Sequence, residues 1–521
     1  MQGKKKNPPK LFYNFSLEEY VPANNFYRIL KKELDLSFIY KETKKYYSHT
    51  GRPSLDPVVF FKCLLIGYLE NICSDRALER MVQMRLDLKY FIGYDLDDPA
   101  PDHSTFCKTR KRLPVEIFEK VFNSILLKCV EAGMVKGESQ SFDSAYINAN
   151  ASLDRMEEIK MVDRDPNEYL KEVLSQDEDE NIDLARKRAA KSQRDLEKFT
   201  EMRRKKYSEL DGGKKHRKNK RRFLSNATHR SATDPDARVA KKSNKPRMLC
   251  YSAMVGVDTG QNVITHIAAE HSSKKDSRLL QGTVKRTADR LKGMDLKMDT
   301  VLADTGFSSG ENYRVLKGWK LKAYIPVHGS FKAEREHFDY EEQNDLYVCR
   351  NGAELTFTSE GTSGGYLKRR YTSSKRDCDV CPFRKGCVDK RGIKKIEHTI
   401  YRSEYMDMIK RLKSKKGKES YKLRMKTVEP VFGSLQQYYG LRWINTRGIK
   451  NANKIMLMAG AAFNLKKWVK HLIENGLFSN LWWKLFPGQL WCSTMENIIF
   501  INIFSEPIFD KNKMPVFQAF R

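Results

Sequence analysis

The sequence predicts a mixed α/β protein with an all-helical N-terminal domain, a sheet flanked by helices and a Cys-bearing insertion. Three observations carry this reading. Apolar residues recur at helical spacing over 51–133, and β-rich alternation opens at 139. Four of the ten cysteines then crowd one Gly/Ser-rich stretch. A chain of 521 residues that is 40% hydrophobic can bury several cores.

Charge narrows the function classes. Lys and Arg number 97 against 66 Asp and Glu, a formal net charge of +31. Such an excess points to a polyanion, with nucleic acid first, because neutralising phosphates and releasing their counterions supplies most non-specific affinity. The start, Met1 to Pro9, has no apolar core of a secretory signal. No run of about 18 apolar residues exists, so no membrane partner is expected and the chain is read as intracellular. Ten Cys in this length do not make a disulfide scaffold.

Residues 1–50 form a basic, aromatic-rich lead. Residues 51–135 are the helical domain, read either as a packing module or as a reader of duplex DNA. Asp56-Pro57 begins a buried helix, an N-cap acid followed by Pro in the first turn. Ser74 and Asp102 cap two more helices, and a fourth spans about 114–133, ending at Gly133. The core is expected over 136–326, with a charged insertion at about 151–230. A strand at 141–149 opens it. Within the insertion, helical pattern runs from about Asp183 to Leu210, and residues 203–222 hold eleven Lys or Arg against two acids. That segment reads equally as a solvated linker and as a phosphate contact.

Two strands, 248–258 and 262–270, join through Asp258-Thr-Gly260, a hairpin signal. A helix at about 277–291 and strands at 299–303 and 321–326 follow. The Cys-bearing insertion occupies 327–415. The core's C-terminal helices lie within 416–475, at about 419–437 and 450–475. An aromatic-rich tail covers 476–521.

Three acids stand out by position. Asp143 lies mid-strand between apolar neighbours, where a charge is costly to bury unless paired or metal-bound. Asp304 ends the strand Thr300–Ala303, at the edge where α/β folds bind ligands. Glu429 follows a stretch, 410–426, with nine Lys or Arg against one acid. Pro430 behind it is expected to mark a helix start or a kink. From the residues alone, Asp143 also reads as an arginine partner, Asp304 as a turn former and Glu429 as a surface acid. Cleaving a phosphodiester requires charge neutralisation and an activated hydroxyl. Two hard cations about 3.5–4 Å apart, held by carboxylates from different elements, do both.

Between residues 50 and 470 the chain resembles the DDE transposases of bacterial insertion sequences. Gly51-Arg-Pro-Ser-Leu-Asp-Pro57, Gly67-Tyr-Leu69, Ser74-Asp-Arg76 and Pro101-Asp-His-Ser-Thr105 resemble the family's helical domain. Asp143-Ser-Ala-Tyr-Ile-Asn-Ala-Asn150 resembles the first catalytic motif, and Thr233-Asp-Pro-Asp-Ala-Arg238 the segment before the second strand. Ala303-Asp-Thr-Gly-Phe307 resembles the second motif. Tyr421, Arg424 and Glu429-Pro-Val-Phe-Gly433 resemble the third, the tyrosine-arginine-glutamate signature. The resemblance implies an RNase H-like core, with Asp143, Asp304 and Glu429 as catalytic ligands of two Mg²⁺ or Mn²⁺ ions. It implies double-stranded DNA as partner, both terminal inverted repeats and target, and a homodimer or higher assembly. It implies a bacterial cytoplasmic, nucleoid-associated location. A metal-dependent nuclease with the same core and an inactive DNA-binding derivative are the alternatives. The sequence departs from the signature where the family often has Lys, seven residues after the Glu: Gln436 stands there. Arg424 also precedes Glu429 by five residues, one more than the common spacing. Arg424, Arg442 and Arg447 are the candidates for contacting DNA phosphate.

Cys378-x-x-Cys381 with Cys387 and the upstream Cys349 gives the thiolate count for tetrahedral Zn²⁺, free loop thiols being the alternative. The Cys378–Cys387 pattern recurs in similar transposases, which implies a structural role. Cys63, Cys73, Cys129 and Cys250 are expected in the core.

Overall fold

The computed structural model describes residues 15–48, 50–51, 54–158, 201, 224–226, 229–241, 246–363 and 366–475. The helical pattern 183–210 except residue 201, the basic run 203–222, the aromatic tail 476–521 and residues 1–14 of the lead therefore lie outside the described residues. The chain divides into two compact units, Met1–Lys470 and His471–Arg521. No helix of the described residues is long and apolar enough to cross a membrane.

Eight helices open the first unit: α1 Leu17–Tyr20, α2 Phe26–Glu33, α3 Phe38–Thr43, α4 Pro57–Leu69, α5 Asp75–Met84, α6 Leu86–Ile92, α7 His103–Arg112 and α8 Val115–Glu131. Their starts follow from capping. Asp56 accepts from Val58 N and Val59 N, Ser74 from Ala77 N and Asp102 from Ser104 N. Helix α4 buries Val59, Phe60, Phe61 and Leu64 to Ile66, so it is apolar nearly all round, as its sequence suggested.

The central sheet holds β1 Ser139–Asn148, β4 Arg238–Ala240, β5 Met248–Asp258, β6 Ile264–His271, β7 Thr300–Ala303 and β8 Lys322–Tyr324. A separate pair joins β2 Met156–Glu158 to β3 His229–Ser231. The order is β4-β5-β1-β7-β8, with β6 beside β5. Strand β5 runs antiparallel to β1, while β7 and β8 run parallel to β1 and to each other. Helix α9 Asp276–Lys292 connects β6 to β7, and α10 Gly310–Gly318 connects β7 to β8. This mixed sheet flanked by helices is compatible with the RNase H-like core expected from the sequence.

The insertion is more ordered in pattern than its composition suggested. It folds as a five-stranded antiparallel sheet: β9 Phe338–Glu341, β10 Leu346–Cys349, β11 Glu354–Ser363, β12 Tyr366–Ser373 and β13 Lys395–Thr399, with α11 Lys375–Asp379 between the last two. Its core is small, Tyr347, Leu355, Tyr371 and Ile396. Short strands rich in charge and Thr or Ser hide such a sheet from an apolar-periodicity reading.

Three helices close the description: α12 Arg402–Lys413, α13 Lys415–Tyr438 and α14 Ile449–Glu474. Pro430 neither starts nor ends α13; it lies inside a 24-residue helix. Proline has no N–H for the carbonyl four residues back. That carbonyl, of Lys426, receives the side-chain amide of Asn262 instead, at 3.5 Å. Helix α14 covers the free edge of β6. Asn453 exchanges two hydrogen bonds with Ala269 and Asn464 two with Ile264, so edge groups that would template another strand are capped. Buried Asp234 accepts from Tyr251 Oη and Gly448 N, while Asp236 accepts from Ile449 N. The Thr233–Arg238 motif thus ties β5 to the start of α14.

Candidate metal and nucleic-acid site

Register brings the first two acids together. Phe142 of β1 pairs in parallel with Ala303 of β7. The next residues, Asp143 within β1 and Asp304 just past the end of β7, therefore stand side by side, about 5 Å apart in backbone spacing. Beyond Ala303 the chain enters a single 3₁₀ turn, Thr305–Phe307, which Asp304 caps by accepting from Gly306 N at 2.9 Å. Phe307 is fully buried and anchors this turn in the core.

Glu429 approaches from α13 and remains half-exposed, at 55% of its side chain. Arg424, one helical turn earlier, stands between the acids. Its Nη2 lies 3.5 Å from Asp143 Oδ2 and its Nη1 lies 3.4 Å from Glu429 Oε1. Arg424 is only 8% exposed, and its Nε is buried with no hydrogen-bond partner. Burial pushes the Asp143 carboxyl up to about 6, and the nearby charges of Asp304 and Asp276 act in the same direction. The Ser144 N–H and Arg424 oppose them.

The oxygens of Asp143, Asp304 and Glu429 do not all lie within 4.8 Å of one another. One six-coordinate ion would require that closeness, whereas two ions about 3.5–4 Å apart separate the outer carboxylates further. The donor set is hard oxygen, as Mg²⁺ and Mn²⁺ require. Gly306 keeps the corner open: a Cβ there would stand 3.1 Å from Asp304 Oδ1 and 3.3 Å from Asp276 Oδ2. The residues present fit a hard-cation centre.

The remaining candidates are placed apart. Arg442 is exposed and donates Nε to Gln436 O at 3.2 Å, and Arg447 is exposed as well. Neither is drawn into the acid cluster by a described contact. Cys349, Cys378, Cys381 and Cys387 line one small cavity of the insertion, with Ser373 Oγ 3.0 Å from Cys378 Sγ. Among the described residues no three of these thiols lie within 4.8 Å of one another. Tetrahedral Zn²⁺ with sulfur at about 2.3 Å would draw them closer. Cys63, Cys129 and Cys250 are buried, but Cys73 is exposed, in a loop where its thiol faces Gly440 O at 3.5 Å. Loop docking puts it there in place of the core.

Two features escaped sequence reasoning. Asp276, the first residue of α9, stands at the same corner as Asp304. Glu79, Asp102 and His103 converge in the helical domain, His103 Nδ1 lying 2.8 Å from Glu79 Oε2 and 3.6 Å from Asp102 Oδ2. Asp102 caps α7 and Glu79 accepts from His103 N, so this group serves a helix start.

Comparison with known proteins adds two domain matches. Residues 15–112 match a family model described as Transposase domain (DUF772), and residues 348–469 match one described as Transposase DDE domain. The second window contains Arg424, Glu429 and the four insertion cysteines. No curated protein matches the chain. One solved structure similar to it is a piggyBac transposase synaptic complex with hairpin DNA, at 9% identity over 88% of this chain and 79% of that one, with a TM-score of 0.30.

Proposed function

We propose that this chain, a DDE transposase by its two matched domains, binds the terminal inverted repeats of its own element, cuts at their ends and joins the 3′-hydroxyls to target DNA. The observation that carries the reading is the pairing of Phe142 with Ala303, which sets Asp143 and Asp304 side by side where Glu429 and Arg424 converge.

In this reading Asp143, Asp304 and Glu429 hold two Mg²⁺ or Mn²⁺ ions. Bound there, the ions neutralise phosphate charge and lower the pKa of an attacking water or hydroxyl. Asp143 and Asp304 would bridge or hold the ions, with Glu429 completing the second position. Arg424 holds Asp143 and Glu429 in place and meets the reacting phosphate, while exposed Arg442 and Arg447 contact flanking phosphates. The helical domain reads the ends. The four insertion cysteines hold a structural Zn²⁺. Two ends brought together require a dimer or higher assembly, and the protein works on the bacterial nucleoid.

Incubating the purified protein with end-bearing DNA and Mg²⁺ tests this. Cleaved and joined products are expected, and Asp143→Ala abolishes both while DNA binding persists. Cleavage without joining would convert the reading to a nuclease. Binding of ends by the unaltered protein without any cutting would overturn it in favour of a DNA-binding derivative.

A further inference from the structure

The C-terminal end of α13 is held from outside the core. The last carbonyls of a helix have no partner within it. Here Leu435 O accepts from Leu441 N at 3.1 Å and Gln436 O from Arg442 Nε at 3.2 Å, both from the chain just beyond. Gln437 O accepts from Asn71 Nδ2 at 3.0 Å, and Asn71 belongs to the loop between α4 and α5 of the helical domain. Asn71 Oδ1 in turn accepts from Gly440 N at 2.9 Å. One side-chain amide thus makes two hydrogen bonds to backbone 366 and 369 residues away.

Both sides of this seam have special backbone. Asn71 has φ +57° and Gly440 φ +69°, each in the left-handed region that asparagine tolerates and glycine adopts freely. A Cβ at Gly440 would stand 3.0 Å from Cys73 Sγ. Asn445 Nδ2 adds a bond to Cys73 O at 2.6 Å.

Pro430 gives the seam leverage. It removes one rung of the α13 ladder, one residue past Glu429, and a helix bends at lower cost where a rung is missing. Before that point Arg424 ties α13 to Asp143. Beyond it the helix runs on to Tyr438 and the seam. Half-exposed Glu429 sits at the junction, so its direction toward Asp143 follows how the two halves are held.

We propose that Asn71 is a positioning residue for Glu429: by clasping the end of α13 it fixes the angle between the two halves of that helix, and so the place of the third acid beside Asp143 and Asp304. This rests on the reading of Asp143, Asp304 and Glu429 as cation ligands. The helical domain then supports the acid set itself, at a distance, as outer groups orient metal ligands.

The test is Mn²⁺ binding to the full-length protein without DNA, by calorimetry, below the melting temperature of each variant in metal-free buffer. Asn71→Gly keeps the left-handed backbone and removes both bonds. Gly440→Ala sets a methyl against Cys73 and opens the seam from the other side. Each is expected to weaken Mn²⁺ binding on the order of 10-fold, the scale of losing an outer partner. In a Glu429→Gln background neither should weaken it further, because the group acted upon is gone. If Asn71→Gly binds Mn²⁺ like the unaltered protein, the inference is overturned. It is overturned equally if the loss is the same with and without Glu429, which would mark the seam as a support of the fold alone. If Glu429→Gln by itself leaves binding unchanged, the cation-ligand reading of Glu429 fails, and this inference with it.

Discussion

Arg424 reaches Asp143 across 281 residues of sequence, its Nη2 lying 3.5 Å from Asp143 Oδ2, while its Nη1 faces Glu429. One guanidinium is thus the electrostatic joint between central strand β1 and α13. Arg424→Gln should raise the Asp143 pKa above its value of about 6, because a cation that favours the carboxylate is removed. It should also cost roughly 1–3 kcal/mol of stability, since one partner of a largely buried group of charges is deleted. Carboxyl-resolved NMR titration and thermal melting check the two effects.

Asp143→Asn should make the protein more stable at neutral pH while removing cleavage. The Asp143 carboxyl is raised from 3.8 to about 6 in the folded chain, so folding favours its protonated form. That contribution is fully present below about pH 3.8 and is lost as pH rises through about 6. At neutral pH and above, the ionised side chain therefore opposes folding, by roughly 2–3 kcal/mol. Melting of the metal-free protein should place the Asp143→Asn variant above the unaltered chain at neutral pH. The gap should close as the pH falls below the folded-state value.

Gly306→Ala should weaken cation binding with little change in fold. The added methyl would stand 3.1 Å from Asp304 Oδ1 and 3.3 Å from Asp276 Oδ2, tighter than ordinary contact. Both oxygens would have to give way, so the Mg²⁺ concentration for half-maximal cleavage should rise. An unchanged Mg²⁺ dependence would refute this.

The insertion sheet should open in acid before the rest of the molecule. His398, 8% exposed, lies 2.9 Å from Tyr347 Oη through Nδ1, and burial together with Arg402 lowers its pKa from 6.5 to about 4. The neutral ring is the folded form. Its contribution is present above about pH 6.5 and lost as pH falls through about 4. Allowing for solvent screening, it amounts to roughly 2–3 kcal/mol. Proteolysis within 338–399 as a function of pH measures it, and His398→Gln should remove the dependence.

Purified protein should carry one Zn²⁺ per chain, and Cys378→Ser should lower both the zinc content and the melting temperature. Mass spectrometry of metal content checks the stoichiometry; unaltered protein free of zinc would rule the assignment out.

The elements that carry Asp143 and Asp304 were legible because their patterns are local, whereas the choice of Asp143, Asp304 and Glu429 among 66 acids came from the family resemblance. Asp304 before Thr-Gly and Asp143 in an alternating run announce their elements from their neighbours. What brings them together, the Phe142–Ala303 register, spans 161 residues and has no local signature. Pro430 does not start a helix as one of its two readings had it, and the group that satisfies the Lys426 carbonyl, Asn262, lies in a distant hairpin. Asp276 was invisible because an acid in the first turn of a helix is ordinary chemistry with the helix dipole.

The position of Glu429 on α13 has a consequence for timing. A ribosome extending the chain at about 5–20 residues per second delivers Glu429 roughly 6–25 seconds after Asp304, with the whole five-stranded insertion in between. Through that interval the nascent chain exposes its two sheet acids and lacks the third. On the proposed reading the acid set is therefore completed last, and a polypeptide stalled before α13 would lack Glu429 and with it the cutting activity proposed for the full set.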